Sequence, residues 1–536
     1  MQNQKKKVVI DGENLEVADV IKVAVKYNKI EEQFQPVVEI SEAKREKLEE
    51  TREYIENNWL NENSPTIYGF NTGVGVLKDE RINTEEIKQF QKLLIESHSA
   101  GIGEPAPEEV SRATLLLRAN ALTRGFSGIR VEVIDRLLAM LNRGIHPIIP
   151  QQGSVGASGD LAPMAHVTAA LVGHKEAEVI YNGEKRSARK AFELAGLDPH
   201  FEMKAKDVLA MINGCSFSLA YAVLVLNRSK KLVQKANLAA AMSMEAMRGE
   251  LDALDERIQR ARNQKGQIEI AARMRELLKN SEWTGEKARG VELPYSQEED
   301  HEKARVQDAY ALRCIPQVHG ASLDVIKFAE DILTREMNAA TDNPLIFAGD
   351  DGYEALSGGN FHGQYLAYAM DNLAVAVHEL GNISERRSSR MLDPGLSYGL
   401  PPNLVGDKVG LNTGFTLAQC AASSLVSENK RMCFPSSADS IPTKNNQEDH
   451  VSMATIAARK SKEIAENTEK IIAIEFLCAA QGISLIEDKL EEFDLAAATG
   501  QAYKKIRDEI PAMKEDRFVS KQMETIHEMI KEDCLI

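Results

Sequence analysis

Apolar residues recur every three or four positions through most of this chain, and the helical segments they mark lengthen from one half to the other. Residues 1–65 are charged and helical in pattern, most clearly over 41–58 (SEAKREKLEETREYIENN). The stretch 66–80 is Gly-rich and short in period, which predicts a loop. Helical periodicity returns over 84–97, 108–143, 164–173 and 187–195, with a polar, hairpin-like stretch at 174–186. From about residue 206 the segments grow: 206–248, 318–340, 361–392, 409–430 and 451–483. Ala, Leu, Met and Glu dominate them, all good helix formers. Several, such as 364–380 (QYLAYAMDNLAVAVHEL), are apolar on most faces, as a helix is when buried in a bundle or an oligomer core. The expected fold is mainly α. An N-terminal domain is expected over 1–205, a central long-helix bundle over 206–485 and a charged, amphipathic helical segment over 486–536. Residues 281–305 break the pattern and predict an exposed charged insertion.

Composition narrows the function classes. The chain has 536 residues, 43% of them hydrophobic, enough for a large core. Its 65 Lys and Arg face 81 Asp and Glu, a net charge of −16, which argues against nucleic acid or an anionic membrane as partner. The basic start is followed only by Val8-Val9-Ile10, too short for a signal segment, and no run reaches membrane-span length. Cys215, Cys314, Cys420, Cys433, Cys478 and Cys534 lie far apart without a CxxC pair, so reduced thiols and a cytoplasmic location are expected. His378-Glu379-Leu380 begins like a zinc-protease helix, but Asn382 stands where the second His is needed.

The densest chemistry lies in Gly156-Ala157-Ser158-Gly159-Asp160-Leu161, within GSVGASGDLAP. If this loop folds tightly, the Gly159 nitrogen can attack the Ala157 carbonyl and close a five-membered ring, an approach that the absent Cβ permits. Losing water from the Ser158 hydroxyl then leaves an exocyclic methylene, an electrophile of a kind that side-chain acids, bases and nucleophiles do not offer. A plain Gly-rich loop is the competing reading. A P-loop or a hydrolase elbow is disfavoured, because Asp160 stands where each pattern needs another residue. Further polar clusters interrupt the helices. Tyr68 sits in a Gly-flanked loop, and His98 ends a helix at a Gly pair, where capping alone explains it. Asn213 before Gly214 reads as an N-cap. Gln307, Tyr310 and Arg313, at i, i+3 and i+6, fall on one face if the segment is helical, and Arg there suits a carboxylate. Phe361 opens a buried helix, and Glu448 precedes another, where an acidic residue is an ordinary dipole partner.

Taken together, GSVGASGDLAP, IYGFNTGVG, SHSAGIG, TRGFSGIR, INGCS, VQDAYALRCIPQ, TDNPL, GGNFHGQ and NQEDHVSM occur in the order found in the aromatic amino acid ammonia-lyase and aminomutase family. The resemblance runs from about residue 8 to 485 and is strongest to the histidine-using branch. It implies the ammonia-lyase fold, similar to fumarase and aspartase, with an N-terminal domain bearing the modified loop. It implies that Ala157, Ser158 and Gly159 cyclise to 4-methylideneimidazole-5-one (MIO), with no metal or nucleotide. It also implies a homotetramer whose active sites are shared between chains. By the same resemblance Tyr68 is the base for the β-proton and Arg313 the carboxylate clamp. Asn213 and Gln307 bond the ring and the substrate, Tyr310 and Phe361 flank the ring, and Asp160 supports its closure. His98 and Glu448 select the substrate side chain. The implied reaction is L-histidine to trans-urocanate and ammonia. The alternative is a tyrosine or phenylalanine ammonia-lyase or 2,3-aminomutase on the same site. Three departures from the histidine-using pattern weaken the choice of substrate: the 281–305 insertion, which is similar to the aminomutase branch, Cys215 after Asn-Gly, and Ala309 before Tyr310; Glu448 within NQEDHVSM keeps histidine ahead. Deprotonation by Tyr68 requires a phenolate, so a depressed pKa is expected there.

Overall fold

A computed structural model describes residues 7–25, 36–296, 305–350 and 352–535. The chain is mainly α-helical, and it divides into two compact units assembled from separated stretches of sequence. One comprises Met1–Asn227, Glu330–Asp371 and Pro435–Arg459; the other comprises Arg228–Ala329, Asn372–Phe434 and Lys460–Ile536. Four of the dividing points fall inside long helices: Ser216–Ala246, Ile315–Met337, Gln364–Leu392 and Ala454–Ile486. Domains contiguous in sequence are therefore not what compactness delimits.

In the first unit the helix Glu108–Thr123 is buried along nearly its whole length. Its two largest buried side chains, Arg112 and Arg118, each donate to several backbone carbonyls, which makes burial of a guanidinium tolerable. Val131–Asn142 and Leu161–Leu171 pack on this core. The expected long segment 108–143 is two helices, because Gly125 and Gly128 adopt φ of +83° and +64° between them. The polar stretch 174–186 is a hairpin, Glu178–Tyr181 with Glu184–Ser187, as its turn residues suggest. The N-terminal region holds strands that helical periodicity does not reveal. Lys7–Ile10 pairs in parallel with Val37–Ile40, Lys7 opposite Val37, and its residues alternate exposed and buried. Leu345–Gly349 and Gly352–Leu356 form a further antiparallel pair.

The second unit holds the remainder of the long helices. One buried polar cluster joins three of them: Arg387 meets Glu475 through two nitrogens, and Ser243 donates to the same carboxylate at 2.7 Å. The expected exposed insertion is corrected in its described part. Trp283, Thr284, Ala288 and Leu293 are buried, and the Trp283 indole donates to Phe493 O at 3.0 Å. Residues 297–304 of that stretch lie outside the described residues. Among the described residues no helix is long and apolar enough to cross a membrane, and the six cysteines are unpaired.

Candidate active site

The site is built in the first unit around the loop that carries Ser158. Gly156 and Gly159 adopt φ of +68° and +74°, a region that favours glycine. A Cβ on Gly159 would lie 2.3 Å from the backbone of Gly214, so only glycine lets the two segments touch. They join as an isolated parallel bridge, and Asp160 N donates to Gly214 O at 2.9 Å. On the other side Gly363 N and Ser452 Oγ donate to Gly156 O, and Met453 N donates to Val155 O. Ala157 packs against Val451 and Met453. The loop is thus held from both sides, with Ser158 half-buried at its apex.

Asp160 is the loop's internal fastener. Its carboxyl is fully buried and accepts from Ser154 Oγ (2.9 Å), Ser218 Oγ (2.7 Å), Thr455 Oγ1 (2.8 Å) and Ser218 N (2.7 Å). Burial pushes its pKa up, and these donors work against that shift. Ser218 and Thr455 stand in the first turns of the helices Ser216–Ala246 and Ala454–Ile486, where an acidic group meets the positive helix end.

Tyr68 reaches the loop from a turn anchored by its neighbours. Ile67 and Phe70 sink into a cluster with Ile55, Trp59 and Ile346, and Asn71 Oδ1 accepts from Ile67 N at 2.8 Å. Gly69 has φ +76°, and a Cβ there would meet Leu209 Cδ2 at 2.4 Å. The phenol oxygen accepts from Gly75 N at 3.2 Å. Its pKa is nevertheless raised, first by burial and then by the Asp342 and Glu448 carboxylates, against the pull of the Gly75 amide. The expected depression is therefore corrected: within one chain the Gly75 amide lowers the pKa but does not outweigh burial and the two carboxylates.

Ser158 meets Glu448 through its hydroxyl, and its carbonyl accepts from Asn213 Nδ2 at 2.8 Å. Glu448 also accepts from Lys444 Nζ at 2.7 Å and from Thr443 Oγ1 at 2.6 Å. Burial alone would raise this carboxyl, but the three donors outweigh it and hold its pKa below the usual range. Glu448 is thereby kept an acceptor. A cavity of about 670 Å³ is lined by Tyr68, Ser158, Asn213, Phe361 and Glu448 among others. A second, of about 680 Å³, shares Tyr68, Ser158 and Asn213 and extends along the helix Ile87–His98 to Phe90, Leu94 and His98. Burial pushes the His98 pKa down, and nearby Lys444 adds to that.

The structure therefore gathers Tyr68, His98, Ala157, Ser158, Gly159, Asp160, Asn213, Phe361 and Glu448 in one unit. It places Gln307, Tyr310 and Arg313 in the other unit, and none of them lines these cavities. Nor do they share one helical face, because the helix begins only at Tyr310. Asp308 accepts from Glu250 N at 2.6 Å, and residues 305–309 are irregular, with a bend at Val306. Arg313 donates to Asp308 O at 3.1 Å, and Tyr310 is 71% exposed. Asn213 is not an N-cap. It closes the short helix Asp207–Ile212, and the next helix starts at Ser216. Ser154, Ser218, Thr455, Thr443, Lys444 and the Gly75 amide escape a sequence reading, since short polar residues at helix starts look like ordinary caps. Among the described residues no group of three or more His, Cys, Asp or Glu is arranged to hold a metal.

Comparison with known proteins identifies the family to which the chain is similar. A family model described as aromatic amino acid lyase matches residues 15–508. The chain is 44% identical to a histidine ammonia-lyase of Natranaerobius thermophilus, over 98% of this chain and 97% of that one. Its structure is similar to that of histidine ammonia-lyase from Trypanosoma cruzi, with a TM-score of 0.86 at 38% identity, covering 99% of this chain and 94% of the other. Tyrosine aminomutase from Streptomyces globisporus gives a TM-score of 0.88 at 34% identity, covering 99% and 97%.

Proposed function

Because this chain belongs to the aromatic amino acid lyase family and is an ammonia-lyase, we propose that it converts L-histidine to trans-urocanate and ammonia. The observation that carries the choice of substrate is Glu448, held ionised beside Ser158 by Lys444 and Thr443. An ionised carboxylate accepts the N–H of an imidazole. A phenyl ring offers no such donor, so it would cover the carboxylate without giving it a hydrogen bond in return for the water it displaces, which is costly.

The loop fits a methylideneimidazolone made from Ala157, Ser158 and Gly159. Gly159 has the left-handed backbone and the close approach that compression needs, and Asn213 already donates to the Ser158 carbonyl. Glu448 accepts from the Ser158 hydroxyl and orients it, and Asp160 fixes the loop. What such a group supplies is an electrophilic carbon for the substrate amine, which turns that amine into a better leaving group.

Tyr68 then takes the β-proton at its phenolate oxygen, which the Gly75 amide steadies. Because burial and two carboxylates raise this phenol, activity rises with pH as the phenolate fraction grows. Asn213 orients the substrate and Phe361 closes the cavity wall. No arginine lines either cavity, so the carboxylate clamp Arg313, with Gln307 and Tyr310, is proposed to come from neighbouring copies in a homotetramer. In support, Tyr365, Tyr368 and Val375 stand 70%, 54% and 46% exposed along one stripe of the helix Gln364–Leu392. A cytoplasmic location belongs to the same proposal and is supported by the unpaired thiols.

Incubation with each aromatic amino acid, with urocanate, coumarate and cinnamate followed by absorbance and β-amino acids by chromatography, tests the proposal. Histidine turnover with inert tyrosine and phenylalanine is expected; the reverse overturns it. Activity on tyrosine is the second reading. It is favoured by His98, which a phenol could meet at the end of the lobe lined by Phe90 and Leu94.

A further inference from the structure

Lys206 is fully buried and adopts φ +71° immediately before the helix Asp207–Ile212. A non-glycine residue in that region carries strain of about 1–2 kcal/mol. A buried ammonium persists only when paired and hydrogen-bonded. Here Nζ donates to Asp342 Oδ2 and to Asn343 O, each at 2.9 Å. Asp342 is 2% exposed, and its other oxygen accepts from Asn343 N at 2.7 Å. Asn343 Oδ1 accepts from Gly358 N at 2.7 Å and from Ser357 Oγ at 3.2 Å. Asn343, Ser357 and Gly358 line the cavity that holds Ser158. The Lys206 stem also runs by the Tyr68 loop, since a Cβ on Gly69 would lie 3.8 Å from Lys206 Cδ.

Buried ion pairs are poor sources of stability, and apolar residues of like volume often replace them without loss. A strained, fully buried Lys–Asp pair between the Tyr68 loop and the cavity wall therefore points to a task in the reaction. We propose that Lys206 is a positioning residue: it neutralises Asp342 beside the Tyr68 loop and fixes the wall through Asn343, so that Tyr68 gives up its proton without facing an uncompensated second carboxylate.

The charged surroundings support this assignment. Tyr68 feels the carboxylates of Asp342 and Glu448, both of which oppose phenolate formation. Lys78, Asp79, Asp449, His362 and His450 line the first lobe, and Glu96, His98 and Lys444 the second. Against Asp342 stand Lys206 and the buried Arg118. Removing the ammonium leaves the Asp342 carboxylate beside the Tyr68 loop with Arg118 still opposing it.

The inference rests on Tyr68 as the base, and its test needs no turnover. The tyrosinate ultraviolet absorbance of the whole protein is followed against pH, and that of the same protein carrying Tyr68→Phe is subtracted. Lys206→Met is expected to move the Tyr68 titration up by about one pH unit. Lys206→Arg should hold it in place, and Lys206→Met combined with Asp342→Asn should return it. If Lys206→Met does not fold, Lys206→Gln, which keeps a donor for Asn343 O without the charge, carries the same expectation. An unmoved titration in the uncharged variant, or a double variant as displaced as the single one, overturns the proposal. Failure of the unaltered protein to turn over histidine would instead overturn the substrate reading and leave this titration to be judged separately.

Discussion

Gly159 meets two demands at once: a left-handed backbone, and room for Gly214 at a distance no Cβ tolerates. Gly159→Ala should destabilise the fold by about 1–3 kcal/mol, read as a lower unfolding temperature. It should also abolish any modification of Ser158, since the compressed loop is lost; an alanine variant of full stability would contradict this. Glu448 allows a prediction of opposite character. Its folded pKa is depressed, so its interactions are present above the ordinary carboxylate range and lost as pH falls through the folded value. Histidine kcat/KM should fall along that acid limb. Glu448→Gln should lower kcat/KM about 10- to 100-fold with little change in unfolding temperature, the scale of one charge-assisted hydrogen bond. The tripeptide proposed to form the ring stands out in the sequence because its chemistry is local. Lys206 does not, because its meaning lies in Asp342, 136 residues away.

Among the elements, helix ends do most of the positioning. Asp160 ties its loop to the first turns of Ser216–Ala246 and Ala454–Ile486 through Ser218 and Thr455. Asp160→Asn should cost about 1–3 kcal/mol, because one hydroxyl or amide donor is left facing another donor. Glu245 plays a comparable part at the far end of Ser216–Ala246, where it accepts from Ala496 N at 2.8 Å. Burial raises its pKa from 4.5 to about 7. A carboxyl raised in the fold contributes stability that is fully present below its unfolded value and lost as pH rises through the folded one. Unfolding free energy should therefore decline between pH 4.5 and about 7, by on the order of 3 kcal/mol, and Glu245→Gln should flatten that decline. Helical period placed most of these helices within a few residues. It missed the Lys7–Ile10 strand, where four residues are too few to show a period, and the single face that Gln307, Tyr310 and Arg313 would share on a helix is not formed, because the helix begins at Tyr310. Neither Asp308 nor its partner Glu250 betrays the break in sequence, because the bond joins residues far apart.

For the whole molecule, helices apolar on too many faces pointed to burial beyond one chain, and the exposed Tyr365, Tyr368 and Val375 agree. Arg313 is not among the residues that line either cavity, and the proposed sharing of sites gives that surface a function. Two variants each expected to be inactive, Tyr68→Phe and Arg313→Ala, should recover part of the activity when co-assembled, since some sites then combine an intact Tyr68 with an intact Arg313. Hybrids of the expected tetrameric mass that stay inactive would contradict shared sites. All of this depends on Ser158 being consumed in making an electrophile. The mass of the peptide that spans Ala157, Ser158 and Gly159 tests that most directly. The account predicts a peptide lighter by two waters, with Ser158→Ala showing no dehydration of residue 158; an unmodified peptide from active enzyme would contradict it.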